Sequence, residues 1–189
     1  MSKKIYEKAS PEIHELVKRV MQTYHAQLFD LAVKVAATMV SKFDADDQLL
    51  PCLRLHGNSV FAMIHLVRGS QRVHVNHDAE ILIDAFTWTN ASEETQIAVI
   101  DHELEHVVIA KDRLGVVKKD DNGHVKLRMK ADDYALTGFY AVVERHGVNS
   151  AECIFIQPVY LRVSEAVETN TRSIATNASS TLQPVEATA

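Results

Sequence analysis

The sequence predicts an α+β fold, a small mixed sheet packed against one central helix and flanking helices, and three observations carry that prediction. An apolar run from Ile97 to Ala110 has helical periodicity with a cluster of His and Glu set into it. The segment from Ala79 to Trp88 alternates Ile81, Ile83 and Ala85 with Glu80, Leu82, Asp84 and Phe86, the period of a strand. Near the start, Ile13, Leu16, Val17, Val20, Met21, Tyr24 and Leu28 recur at helical spacing, so one helix face is core. With 189 residues and 47% hydrophobic content, the chain has room for one domain with a proper core. Residues 1–163 are read as that domain. Residues 164–189, rich in Ser, Thr, Ala and Asn with few apolar anchors, are read as a disordered tail.

Taken in order, Ser10-Pro11-Glu12 opens the first helix with a capping serine, proline at the first helical position and an early acid. His14 and His25 flank its apolar stripe and are read as surface or boundary residues. The β-branched run from Ala32 to Val40 reads as a strand, with helix as the alternative. Asp44-Ala45-Asp46-Asp47 is a solvated turn, since no calcium-loop spacing of oxygen ligands follows it. Gly57-Asn58 offers a start for a short helix of Val60, Phe61, Met63, Ile64 and Val67, closed by Gly69. His56, His65, His74 and His77, scattered around it, are assigned to no site. After the strand from Ala79 to Trp88, Asn90 or Ser92 caps the central helix and Glu93-Glu94 favour its N-terminus. Gly115 to Lys130 reads as a hairpin turning at Asp121-Asn122-Gly123. Asp132-Asp133 then cap a helix carrying Leu136, Phe139, Tyr140 and Val143 that stops at Gly147. A last extended piece is expected over Ile154-Phe155-Ile156 and Val159-Tyr160-Leu161.

The chemistry concentrates at Asp101-His102-Glu103-Leu104-Glu105-His106. Residues four apart on a helix lie within roughly 40° of one another, so His102 and His106 present two imidazoles to one ion. Glu103, about 100° away, sits beside that ion, where it can hold water. This H-E-x-x-H spacing is that of zinc-dependent peptidases. A helix buried on nearly every side does not carry such a cluster idly, because unpartnered buried polar groups cost roughly several kcal/mol. A catalytic zinc takes three protein ligands and leaves a place for water. Asp132, Asp133, His124, Glu144 and His146 are the candidates for the third.

Composition narrows the class. A net charge of −5 argues against a dedicated nucleic-acid binder. The two cysteines, Cys52 and Cys153, form neither a CxxC pair nor a disulfide framework and suit a reducing compartment. The N-terminus lacks an apolar signal core and no stretch has the length of a membrane span, so a soluble cytoplasmic protein is expected, with no membrane partner.

The first motif, the strand ending in Trp88, Lys130-Ala131-Asp132-Asp133-Tyr134 and Val142-Val143-Glu144-Arg145-His146-Gly147 together resemble the phage metallopeptidase family of the zincin superfamily, over about residues 10–148. The resemblance implies a zincin-like fold and hydrolysis of a protein or peptide substrate. Where that family commonly has His-Asp after the hairpin, this chain has Asp132-Asp133, which makes Asp132 the implied third ligand beside His102 and His106. Zn²⁺ would then activate water, Glu103 would move the proton, and Tyr134 or His146 would assist the oxyanion. The strand from Ala79 to Trp88 is read as a place where substrate adds as a further strand. Two alternatives stand beside this reading: a phage structural or accessory protein that keeps zinc without catalysis, and a DNA-associated protease resembling the SprT-like enzymes. The acidic balance and the absence of CxxC weigh against the second.

Overall fold

The computed structural model describes residues 3–55, 57–68, 71–132 and 139–154. Residues 1–152 form one compact unit; of the second, 153–189, only Cys153 and Ile154 are described, and both are helical. The described chain runs β1 (Lys4–Lys8), α1 (Pro11–Tyr24), α2 (Ala26–Asp30), β2 (Val35–Lys42), β3 (Arg54–Leu55), β4 (Asn58–Ser59), β5 (Ala62–Leu66), α3 (Gln71–His74), β6 (Ala79–Asp84), α4 (Ala85–Thr89), α5 (Glu93–Glu105), β7 (Val107–Ile109), β8 (Leu127–Met129) and α6 (Tyr140–His146). The class is α+β, as the sequence predicts, with a small mixed sheet under helices.

Four strands make the main sheet in the order β1-β2-β6-β5. β2 and β6 are parallel, with Ala37 opposite Ile81, while β1 and β5 run antiparallel on the two outsides. One face of the sheet is the core. Ala37, Ile64, Ala79, Ile81 and Ile83 meet Val17, Val20 and Met21 of α1 and Val99, Ile100 and Leu104 of α5. On the opposite face a smaller cluster of Val40, Cys52 and Leu53 packs with Val60, Met63 and Leu82.

Several elements differ from the sequence expectation, each for a local reason. The segment expected to be a short helix from Val60 to Val67 contains the strand β5: Ala62 and Ile64 are buried and alternate with Met63 and His65, a period of two that pairs with β6. The strand expected from Ala79 to Trp88 stops at Asp84. There a fully buried carboxylate caps α4 by accepting from the Thr87 amide at 3.1 Å and also accepts from the amides of Cys52 at 2.6 Å and Leu53 at 2.8 Å. The remaining apolar residues, through Trp88, therefore lie on a helix. The apolar run to Ala110 is not all helix either: α5 ends at Glu105 and the chain straightens at once into β7, whose β-branched Val107-Val108-Ile109 favours a strand.

The expected hairpin from Gly115 to Lys130 is part of a larger device. The sequence reads Val-Ile-Ala-Lys-Asp-Arg-Leu-Gly from Val108 and Val-Val-Lys-Lys-Asp-Asp-Asn-Gly from Val116, two copies of Val-x-x-Lys-Asp-x-x-Gly eight residues apart. In each copy the aspartate accepts two amides of its own loop, Asp112 from Leu114 and Val116, and Asp120 from Asn122 and His124. Gly115 and Gly123 close the loops at φ +82°, a conformation open to glycine and strained for other residues. Three backbone hydrogen bonds tie the segments in a ring, from Ala110 to the Lys126 carbonyl, from Lys126 to Lys118, and from Lys118 to Ala110. β7 then pairs with β8, Val108 opposite Arg128. No helix among the described residues is long and apolar enough to cross a membrane.

Asp84→Ala removes an acceptor from three amides at once, and buried donors left unpaired cost about 1–3 kcal/mol each. Its denaturant midpoint should fall by the equivalent of at least about 2 kcal/mol with the m-value unchanged; a shift within experimental error would show that the carboxylate is not what joins the sheet to α4.

Candidate metal centre

Helix α5 carries the motif, and its start is fixed by Ser92, whose hydroxyl accepts from the Thr95 amide at 3.2 Å, with Glu93 and Glu94 in the first turn. Asn90, the other cap candidate, instead ends α4. Asp101, Glu103 and Leu104 are buried along with Ala98, Val99 and Ile100, so the helix is enclosed on most sides. His106 stands at the C-cap yet keeps helical angles, φ −66° and ψ −19°, which preserves its stacking one turn beyond His102. The two rings lie 5.1 Å apart, edge to face.

Both imidazoles are held through Nδ1. His102 Nδ1 donates to Glu152 Oε1 at 2.8 Å, and His106 Nδ1 donates to the carbonyl oxygen of Lys130 at 2.8 Å. A carbonyl or carboxylate only accepts, so the proton of each neutral ring sits on Nδ1 and Nε2 keeps its lone pair. Asp132 follows directly from β8 and brings Oδ1 to 3.8 Å from His106 Nε2. Ligand atoms of His102, His106 and Asp132 all lie within 4.8 Å of one another. A tetrahedral centre with bonds of about 2.0–2.1 Å has ligand atoms about 3.4 Å apart, within small side-chain rotations of this arrangement.

The residues fit a cation for a further reason. Asp132 Oδ1 is buried and has no hydrogen-bond partner among the described residues. An acceptor left like that is costly in an apo protein and satisfied by a metal ion.

Glu103 lies beside the three. Burial pushes its carboxyl above the usual range, opposed by the nearby His102 and His106 charges and by the backbone amide of Ile64 on β5. For His102 burial works against the charged form, but the bond to Glu152 and the charge of Glu103 outweigh it and raise its pKa. Phe139 forms a wall behind the rings, 5.1 Å from His102 and 4.7 Å from His106, with the Lys130 ammonium 4.7 Å over its own ring.

Asp101 faces another way and organises a second cluster. It accepts from His25 Nε2 at 2.6 Å, from Arg145 Nε at 2.8 Å and Nη2 at 2.9 Å, and it pairs with His146 Nε2 at 2.8 Å. His25, read as a surface or boundary residue, is half-buried and bonded to the motif helix, and His14 is engaged too, accepting from the Ala37 amide through Nε2 at 3.3 Å. Burial pushes the Asp101 carboxyl up, yet the bonds from His25 and Arg145 prevail and hold it below its ordinary value.

Of the residues weighed for the third ligand, the structure brings Asp132 to the site. His124 pairs with Asp120 at 3.4 Å in the second octad loop, Glu144 is exposed, and His146 is committed to Asp101, which also takes it away from an oxyanion role. Asp133 and Tyr134 lie outside the described residues, as do Leu136 and all but Ile154 of the extended piece expected over Ile154-Phe155-Ile156 and Val159-Tyr160-Leu161; Ile154 is helical. Glu152 escaped the sequence reading. It lies fifty residues past His102, in a stretch with no metal-ligand spacing to single it out.

A family model described as "Putative phage metallopeptidase" matches residues 4–164. The chain belongs to that family. Membership implies a metal ion, and His102, His106 and Asp132 are the described residues placed to hold one. No curated protein and no solved structure matches the chain.

Asp101→Asn should lower stability by about 1.5–3 kcal/mol near neutral pH, since a neutral amide replaces the buried carboxylate that His25 and Arg145 bond. Because the folded carboxyl has the lower pKa, its contribution is complete above roughly pH 4 and is lost as pH falls through the folded value. Urea titrations at neutral pH and at acid pH should thus show a gap between parent and variant that narrows on acidification; a gap that widens would contradict the assigned pairing.

Proposed function

We propose that this chain is a zinc-dependent peptidase of the zincin type, in which His102, His106 and Asp132 hold the metal and Glu103 is the proton carrier. The observation that carries the reading is the convergence of two imidazoles, each bonded through Nδ1, and a buried carboxylate oxygen with no partner among the described residues, beside a second, buried carboxylate. Two nitrogens and one carboxylate oxygen are a donor set that suits Zn²⁺ and leaves a coordination place open. When bound there, the ion would polarise a peptide carbonyl and bring the pKa of water towards about 7.

The chain's own groups account for the rest. Glu103, held by the Ile64 amide, accepts the proton of the attacking water and returns it to the leaving amine, a role for which a carboxyl raised by burial is suited. Glu105, one residue from His106, faces Lys130 at 3.4 Å and Arg145 at 3.5 Å and takes no part. The substrate strand must differ from the one first expected. β6 is bonded on both sides, by β2 and β5, and offers no free main-chain edge. β5 is an outside strand, antiparallel to β6, and its Ile64 amide already reaches Glu103, so an extended peptide added along β5 would bring its backbone beside the catalytic carboxylate. Binding through main-chain hydrogen bonds tolerates many side chains, which suits an unfolded protein segment as substrate.

Glu103→Gln should retain one metal per chain and lose hydrolysis of an unfolded protein such as casein by roughly 10²–10⁴-fold. Asp132→Ala should weaken metal uptake by more than the roughly 10–100-fold typical of an outer partner. Full metal content with no hydrolysis in the parent would favour a protein that uses its metal for structure alone, and unchanged affinity in Asp132→Ala would remove that residue from the ligand set.

A further inference from the structure

Glu152 belongs to none of the roles above, yet it is the most enclosed acid around the motif after Asp101. Its residue is 2% exposed and its Oε1 accepts twice, from His102 Nδ1 at 2.8 Å and from the Phe139 amide at 3.1 Å. Phe139 is itself fully buried and packs its ring against both motif imidazoles. One carboxylate oxygen therefore ties together a ring on α5 and the backbone that opens α6.

The two imidazoles are not treated alike. His106 is steered by a neutral carbonyl, that of Lys130, whereas His102 is steered by an anion. A carboxylate on Nδ1–H draws that proton towards itself and leaves Nε2 the stronger donor. Among the described residues, His102 is the ionisable group bonded to this buried carboxylate, and Phe139 contributes an amide dipole. The carboxylate charge is costly unless His102 becomes cationic, by a proton or by a metal on Nε2.

We infer that Glu152 is a positioning residue for the metal centre, fixing His102 in the Nδ1–H form and strengthening its Nε2 as a ligand, while anchoring Phe139 behind both rings. This rests on the metal reading given above and extends it to a residue outside the H-E-x-x-H segment. Glu152 touches neither substrate nor reacting atoms; it acts through His102.

The test measures metal and ring directly. Metal-free parent and Glu152→Gln are titrated with Co²⁺, following the visible absorption of the bound ion, and both are examined by long-range ¹H–¹⁵N correlation of the histidine rings. Glu152→Gln keeps the shape and can still accept from Phe139, and circular dichroism confirms its fold. The expected result is a 10–100-fold weaker Co²⁺ affinity with an altered absorption band in the variant, and, in the parent titrated to a pH where His102 is neutral, a ring proton on Nδ1. Equal affinity and identical band in parent and variant would overturn the inference while leaving the metal site standing. A His102 protonated on Nε2 in the neutral parent would overturn it whether or not the variant folds. Failure of the parent to bind Co²⁺ at all, with His102 still in the Nδ1–H form, would instead sink the metal reading on which the inference rests.

Discussion

Asp101, His102 and Glu103 are consecutive on a helix enclosed by protein, and successive side chains there diverge by about 100°. No single neighbour can serve all three. Each buried ionisable group must find a partner or lose its charge, so three different parts of the chain are drawn in: His25 and α6 to Asp101, Glu152 to His102, and the Ile64 amide of β5 to Glu103. The packing of α5 against α1, the outer strand and α6 follows from that requirement as much as from its apolar residues. Replacing His25 or Arg145 with an apolar side chain would leave the Asp101 carboxylate underpaired in the interior rather than a mere cavity.

This division also explains the position of the metal centre. The face of α5 that bears His102 and His106 meets Phe139 at the start of α6 and the return of the chain from β8, with the Lys130 carbonyl on one ring and Asp132 next to it. Because β8 is paired to β7, and β7 begins one residue after His106, the carboxylate is delivered by a strand pair rooted at the motif itself. The geometry of the site is therefore local to residues 102–132, although twenty-five residues separate His106 from Asp132. Glu152, 2.8 Å from His102 Nδ1, is the long-range addition to it.

What the sequence disclosed was whatever depends on neighbours along the chain. The spacing of His102 and His106, the Ser92 cap, the amphipathic stripe of α1 and the Gly147 stop are all short-range, and all appear as expected. The errors share a cause. Ala79 to Trp88 alternates throughout, and only the buried bonds from Cys52 and Leu53 to Asp84, more than thirty residues away, reveal why the strand ends there. Val60 to Val67 carries apolar residues compatible with either period, and pairing with β6 decides it. His25 looked idle because its partner lies 76 positions on. The octad copies, by contrast, were written in plain sequence as two Lys-Asp-x-x-Gly units at equal spacing, and a search for short internal repeats would have found them.

Those octads make the stretch from His106 to Asp132 modular. If the second unit, 116–123, were excised, Asp112-Arg113-Leu114-Gly115 would be followed by His124 and Val125 in place of Val116 and Val117, and Lys111 would face Val125 in the same antiparallel register that now sets Ile109 against Leu127. The ladder would simply shorten to one loop, and Asp132 would emerge at the same rung beside His106. What such a shortened chain would forgo is the anchor of Asp120 on Arg72, which fastens the second loop to the segment leading into β6. The reach of the strand that carries Asp132 is thus set by pairing near its base, leaving the outer loop as a cassette whose presence or sequence can change without moving Asp132 from His106.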